Sequence, residues 1–152
     1  MRLVKYTAPL WLLLLAACSG GEPPRAAVMV APVQASADFG NLRVRHNALP
    51  TLSLSEAVAR EYGVSRNAGT GLVLVAIREV TGDDEVGVEG KVSGVAYDLR
   101  GKRQNLAFST VQVGEYSDHL ANFAISERDT YRFEITVVAA GRTETVKFQQ
   151  NF

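Results

Sequence analysis

One cysteine, two histidines and a single tryptophan stand among 152 residues, and each scarcity removes a class of chemistry. A lone thiol closes no internal disulfide and supplies no multi-sulfur zinc cage. His46 and His119 lie far apart in the chain and come with no further nitrogen or sulfur ligands near them, so no metal set is expected. No G-x-S-x-G elbow is present, and Ser117-Asp118-His119 holds the letters of a triad at adjacent positions that point apart. An excess of either charge is also missing. The 16 basic and 16 acidic residues cancel, without the Lys and Arg surplus that phosphate binding requires, so nucleic acid is not an expected partner. Apolar runs are short as well: none approaches the roughly 20 residues that span a bilayer core.

What is present begins with the leader. MRLVKYTAPLWLLLLAA places Arg2 and Lys5 ahead of an apolar run from Leu10 to Ala17 that ends in small residues, the layout of a signal peptide. Leu15-Ala16-Ala17-Cys18 then matches the bacterial lipobox and uses the only cysteine in the chain. A thiolate is the side chain nucleophilic enough to take a diacylglyceryl group as a stable thioether. Resemblance to bacterial lipoproteins implies lipidation of Cys18, cleavage before it, and acylation, such as palmitoylation, of the new amino group. At about 0.8 kcal/mol per buried CH2, two or three such chains anchor stably. Ser19, in place of Asp, resembles the sorting pattern for the outer membrane. Cleavage removes Arg2 and Lys5, leaving 14 basic against 16 acidic residues.

Residues 18–38 read as the lipidated cysteine and a tether rich in Pro, Gly, Ala and Ser, and residues 39–152 as one domain. Twenty tether residues reach roughly 70 Å when extended and average about 25 Å as a coil. From Phe39 onward, alternation dominates, with turn residues at intervals. Tyr131, Phe133, Ile135 and Val137 share one parity, opposite Arg132, Glu134 and Thr136. Val86, Val88, Val92 and Ala96 share another, which predicts a single strand. Leu72 to Ile77 is apolar on both parities and predicts a central strand. Further strands are expected at 40–47, 104–114, 119–126 and 143–151. One helix is expected over Leu54 to Tyr62, capped by Ser53 with Glu56, stopped at Gly63, and burying Ala57, Val58 and Tyr62. The turns at Thr81 to Asp84, Leu99 to Gly101 and Ala140-Gly141 complete an all-β prediction: an antiparallel immunoglobulin-like sandwich of about seven strands.

FGNLRVRHNAL at 39–49, SLSEAVAREYGVSR at 53–66, VSGVAYDLRGKRQNLAF at 92–108, SERDTYRFEITV at 126–137 and VKFQQNF at 146–152 are similar to segments of the bacterial family called domain of unknown function 4426. That resemblance implies a small envelope protein with a signal peptide and an all-β domain. It brings no assigned activity and therefore no catalytic residues.

The candidate residues are few. His46 shares parity with Leu42 and Val44 and reads as a core-facing, hydrogen-bonded histidine; His119, after Ser117-Asp118, reads as a solvated loop histidine. Asp83-Asp84-Glu85 lacks the spacing of a calcium loop and reads as a hairpin turn. Gly69-Thr70-Gly71 also reads as a turn. Arg100, Lys102 and Arg103 read as a solvated hairpin tip, and Arg43 with Arg45 as a basic stripe guarding an edge strand. Tyr131 reads as a core residue that could also sit like the corner tyrosine of such sandwiches. The short distance between the first strand and the helix nominates His46, Asn47, Tyr62 and Arg66 as one polar binding cluster. The expected function is therefore a non-enzymatic, cofactor-free, lipid-anchored envelope module that binds another envelope protein from the periplasmic face of the outer membrane. The alternatives are a binder of a small apolar or lipidic ligand, or a hydrolase with an unfamiliar site.

Overall fold

The computed structural model describes residues 35–152. The leader, Cys18 and most of the tether lie outside the described residues. Among the described residues, ten strands form two antiparallel sheets. The six-stranded sheet contains β1 (Ala35–Phe39), β2 (Leu42–Pro50), β3 (Thr70–Thr81), β4 (Asp84–Gly87), β7 (Ser109–Val113) and β8 (Tyr116–Ala124). Its order is β1-β2-β3-β8-β7, and β4 continues the β8 side of β3. The four-stranded sheet has the order β10-β9-β5-β6, from β5 (Gly90–Tyr97), β6 (Arg103–Leu106), β9 (Thr130–Ala139) and β10 (Arg142–Asn151). The predicted β-sandwich is the observed fold. Among the described residues, no helix is long and apolar enough to cross a membrane.

The strand count exceeds the expected seven because two predicted strands are each cut where the chain changes sheets. The valine run from Val86 to Ala96 divides into β4 and β5, which belong to different sheets. Likewise 104–114 divides into β6 and β7. Alternation continues across each crossing, so the pattern alone does not mark it. β1 is the other addition: Ala35 to Asp38 fall within the segment read as tether, yet they pair in register with β2.

Rings fill the space between the sheets. His46 stacks on Phe148 at 4.3 Å, Phe148 on Phe133 at 4.7 Å, and Phe133 meets Phe123 edge-on at 5.3 Å. Phe123, Tyr131 and Phe152 close the series at 5.4 to 5.6 Å. Tyr131 belongs to this core and also accepts a hydrogen bond from the Ser126 backbone N–H at 3.0 Å through its hydroxyl, so it fills both of its expected parts. Val73, Val75 and Ile77 of β3 pack into the same layer, and β3 is central, as its apolar parities predicted. Gly71 lies within β3 and not in a turn: a Cβ there would stand 2.6 Å from the Phe123 ring. Side chains stitch the two margins. The Gln104 amide of β6 pairs with the Ala124 N–H and C=O of β8, both at 2.9 Å. Arg142 of β10 donates to the Phe39 carbonyl at 3.0 Å and to the Asn41 amide oxygen at 2.9 Å.

The helical excursion is shorter and later than expected. A 3-10 turn occupies Thr51–Ser53, and α1 spans Glu56–Glu61. Ser55, not Ser53, caps it by accepting the Val58 N–H at 3.2 Å. Gly63 at φ +64° ends it as predicted. Ala59 is the buried residue, Val58 and Tyr62 are half-buried, and Ala57 is exposed. The Thr51 hydroxyl binds both the N–H and C=O of Asn67 at 3.0 Å and closes the excursion.

The β9–β10 turn carries a local strain. Ala140 (φ +48°) and Gly141 (φ +73°) both occupy left-handed space, the signature of a tight hairpin turn that favours Asn-Gly. Ala140→Asn is expected to stabilise the domain by about 1 kcal/mol, measured by urea denaturation; an unchanged or lowered midpoint would show the alanine to be unstrained.

Candidate functional site

Polar residues gather in three places: the outer face of the six-stranded sheet, the interior row of histidines, and the outer face of the four-stranded sheet. They differ in whether their charges are already engaged.

On the outer face of the six-stranded sheet, Arg43 and Arg45 project from β2. β2 is an interior strand flanked by β1 and β3, so these arginines do not guard an edge. Glu85, in the turn-proximal part of β4, receives both: Arg43 Nη1 at 2.6 Å, Arg45 Nε at 2.9 Å and Arg45 Nη2 at 2.7 Å. Hydrogen bonds from Arg45 and Arg43 hold the Glu85 carboxyl down to about 2. Arg43 also forks onto Asp38 at 2.7 and 2.9 Å, and this lowers the Asp38 pKa below the usual carboxylate range. The acidic run thus includes a structural acceptor that joins β1, β2 and β4.

Beside it lies a buried pair. Arg78 Nη2 donates to Asp118 Oδ1 at 2.9 Å, with side chains only 11% and 10% exposed. Arg78 Nη1 donates to the Ile77 carbonyl at 3.1 Å, and the guanidinium lies 4.5 Å from the Tyr116 ring centroid. The Tyr62 hydroxyl reaches the second Asp118 oxygen at 3.3 Å. Burial, followed by the Asp118 charge and this hydrogen bond, raises the tyrosine pKa. Tyr62 also packs with Leu54 and Val64 over Leu72, Leu74 and Leu120, so the excursion covers this part of the sheet. Sequence reasoning missed the pair. Its only local signal is Arg78, a charged residue that closes the continuous buried run 71–78 within β3.

The nominated cluster is divided by the sheet. His46 faces inward onto Phe148, whereas Asn47, its neighbour in an alternating strand, faces outward. Tyr62 belongs to the Asp118 pair, and Arg66 remains within its own excursion, donating to the Leu52 carbonyl at 3.1 Å with Glu56 at 3.8 Å. No binding cluster forms from the four.

The histidines form an interior row. His46, Val75, His119 and Thr110 are register partners across β2, β3, β8 and β7. His119 is 4% exposed and part of a strand, contrary to the expected loop position, because Ser117-Asp118 belong to β8 and do not form a turn. Its Nδ1 lies 3.1 Å from the Thr110 hydroxyl, while Nε2 has no partner among the described residues. His46 is 6% exposed, and its Nδ1 likewise lacks a partner among them, so it is core-facing without the expected hydrogen bond at that atom. Burial lowers both pKa values. Burial thus favours the neutral form of both rings, and His46 packs within the ring series.

The outer face of the four-stranded sheet differs from both. Among the described residues no helix or loop covers its central register rows, and an open groove of about 740 Å³ runs along it, lined by Ser93, Val95, Tyr97, Glu134 and Thr136 among others. Arg132, Tyr97 and Arg103 stand side by side in one register row across β9, β5 and β6. The β5–β6 loop is organised by Asp98, a buried carboxylate that accepts the Arg100 and Lys102 backbone N–H groups at 2.9 and 2.8 Å. Arg100 and Lys102 accordingly occupy the expected exposed tip, whereas Arg103 is in β6 and belongs to the groove. Among the described residues, no group of three His, Cys, Asp or Glu could hold a metal ion.

Known proteins share this architecture. The profile of the family described as Domain of unknown function (DUF4426) matches residues 36–152. A DUF4426 family protein (PA0388) from Pseudomonas aeruginosa PAO1, solved as a crystal structure, is 32% identical, with a TM-score of 0.66 over 78% of this chain and 94% of that one. FetP from uropathogenic E. coli strain F11, isolated after expression in the periplasm, is 11% identical, with a TM-score of 0.58 over 80% of this chain and 95% of that one. A copper-bound single-residue variant of FetP gives 11% and 0.55 over 78% and 94%. At that identity FetP shares the fold. No curated protein matches the chain.

Two outcomes are expected. Asp118→Leu leaves the buried Arg78 unpaired and costs about 3 to 5 kcal/mol, most of which Arg78→Met in the same chain restores; a double variant as unstable as the sum of the singles would contradict this. Because folding depresses both histidine pKa values, the unfolded chain takes up protons first. Thermal stability should therefore fall as pH drops below about 6.5 toward the folded-state values. The pair His46→Phe and His119→Phe should flatten that slope in a melting series; an unchanged slope would place its origin elsewhere.

Proposed function

The chain belongs to the DUF4426 family, and from the contrast between its two outer faces we propose that it is a non-catalytic, lipid-anchored module of the cell envelope that binds another envelope protein through the four-stranded sheet. The observation that carries the reading is the open groove on that sheet. The opposite sheet has its arginines engaged by Asp38, Glu85 and Asp118, and one end of it lies beneath Tyr62 and its apolar neighbours. The leader and lipobox support anchoring through Cys18 on the periplasmic face of the outer membrane.

Other readings receive less support. A lipidic ligand needs room between the sheets, and there the ring series from His46 to Phe152 packs at contact distance. A hydrolase needs a nucleophile, base and orienting acid converging in a cleft. The described buried carboxylates, Asp98 and Asp118, are occupied by loop amides and by Arg78 with Tyr62. The copper of the FetP variant does not carry over: His46 and His119 are separated by β3, with no third donor set among the described residues.

Site-specific photocrosslinking in cells tests the reading. A photoreactive residue replacing Thr136, in the groove, should capture one envelope protein, and Cys18→Ser should abolish capture by releasing the chain. A photoreactive residue replacing the exposed Asn122, on the opposite sheet, should capture nothing specific. Equal capture from the two positions, or none from Thr136, would exclude this face as the docking surface.

A further inference from the structure

Positive charge is distributed unevenly between the two sheets. Arg43, Arg45 and Arg78 are all engaged by carboxylates, and Arg142 by a carbonyl and an amide oxygen. On the outer face of the four-stranded sheet, Lys91, Arg103 and Arg132 are exposed and make no side-chain hydrogen bond or ion pair among the described residues. The acid on that face, Glu134, is matched by Lys147 at 3.0 Å. Asp98, in the β5–β6 loop, directs one oxygen to backbone amides and has Arg100 Nε at 3.9 Å from the other. Three of the cations without side-chain partners among the described residues thus share this one face, the others being Arg60 on the helix, Lys102 in the β5–β6 loop and Arg128 in the β8–β9 turn, in a chain that carries no net positive charge.

We infer that this face receives an extended, acidic peptide segment of the partner protein, with carboxylates bound by Arg103 and Arg132 and the chain lying over Tyr97. The inference rests on the proposed protein-binding function and specifies the chemistry of the partner. Arg103 and Arg132 are two strands apart in one register row, which places their backbones roughly 10 Å from each other. An extended polyproline-type segment advances about 3.1 Å per residue, so acidic residues three positions apart present carboxylates at a matching interval. Guanidinium forks bind carboxylates in bidentate geometry, and Tyr97 between them offers a flat apolar seat. Ser93, Thr136 and Thr145 supply hydroxyls for peptide amides further along the groove. Glu134 near the middle favours a peptide of mixed character over a uniform polyanion, because a phosphate backbone or an anionic membrane would bring like charge against it.

The test uses the full chain purified from membranes in a zwitterionic detergent. The probe is a fluorescein-labelled heptapeptide with glutamate at every third position and proline between, followed by fluorescence anisotropy. Saturable binding is expected, weakened by added salt, lost when the glutamates are replaced by glutamine, and reduced about tenfold or more by Arg103→Gln with Arg132→Gln. Arg60→Gln, on the exposed helix, should leave it unchanged. Equal affinity of the double variant and the native chain would overturn the inference, as would absence of saturable binding. Displacement of the peptide by inorganic polyphosphate at lower concentration would also overturn it, in favour of a general anion site. Capture through Thr136 without peptide binding would remove the acidic-segment inference and leave the docking face; failure of both would remove the two together.

Discussion

The series of rings between the sheets is the constraint on which the rest depends. His46, Phe148, Phe133, Phe123, Tyr131 and Phe152 come from β2, β8, β9, β10 and the terminal residue, so one packed layer joins strands from both sheets. Buried aromatic residues contribute both area and geometric preference, and this chain has no internal disulfide to supplement them. Once that layer is set, the alternation of each strand fixes what faces outward. Arg132, Glu134 and Thr136 face outward, the last two lining the groove, because Tyr131, Phe133, Ile135 and Val137 face the rings.

The outward residues are then sorted by charge engagement. On the six-stranded sheet, acids from distant segments reach the arginines: Asp38 from β1, Glu85 from β4 and Asp118 from β8. These contacts link five strands, counting the β2 and β3 positions of the arginines, and they leave that face with its strong donors satisfied. Among the described residues, the outer face of the four-stranded sheet has only the Glu134–Lys147 pair. Its other cations have no intramolecular role that the described contacts reveal. That asymmetry is the basis for placing function on this face, since an engaged ion pair must be broken before it can recognise a partner.

The core was legible in the sequence where burial follows local periodicity. β9 and β3 were readable from parity alone, and Gly63, Gly82 and Gly141 marked turns that the backbone requires at positive φ. The sheet changes after β4 and β6 were not legible, because alternation says which side is apolar and not which neighbour a strand takes. His119 was misplaced because Ser117 and Asp118 resemble a turn locally. Asp118 is tolerated inside a strand only because Arg78, forty positions earlier, meets it. The four-residue cluster failed for a simpler reason: His46 and Asn47 are consecutive in a strand and lie on opposite sides of it. Arg103 and Arg132 came together only through the β6-β5-β9 order, which no local signal contains.

Hydrogen–deuterium exchange of the protein in native envelope vesicles, compared with the same chain purified in detergent, tests the central claim most directly. Occupancy of the outer face of the four-stranded sheet predicts added protection in β5, β6 and the β5–β6 loop in the envelope, with β1 and β7 unchanged. Added protection confined to β1, β7 or the helical excursion, or identical exchange in the two states, would contradict the account.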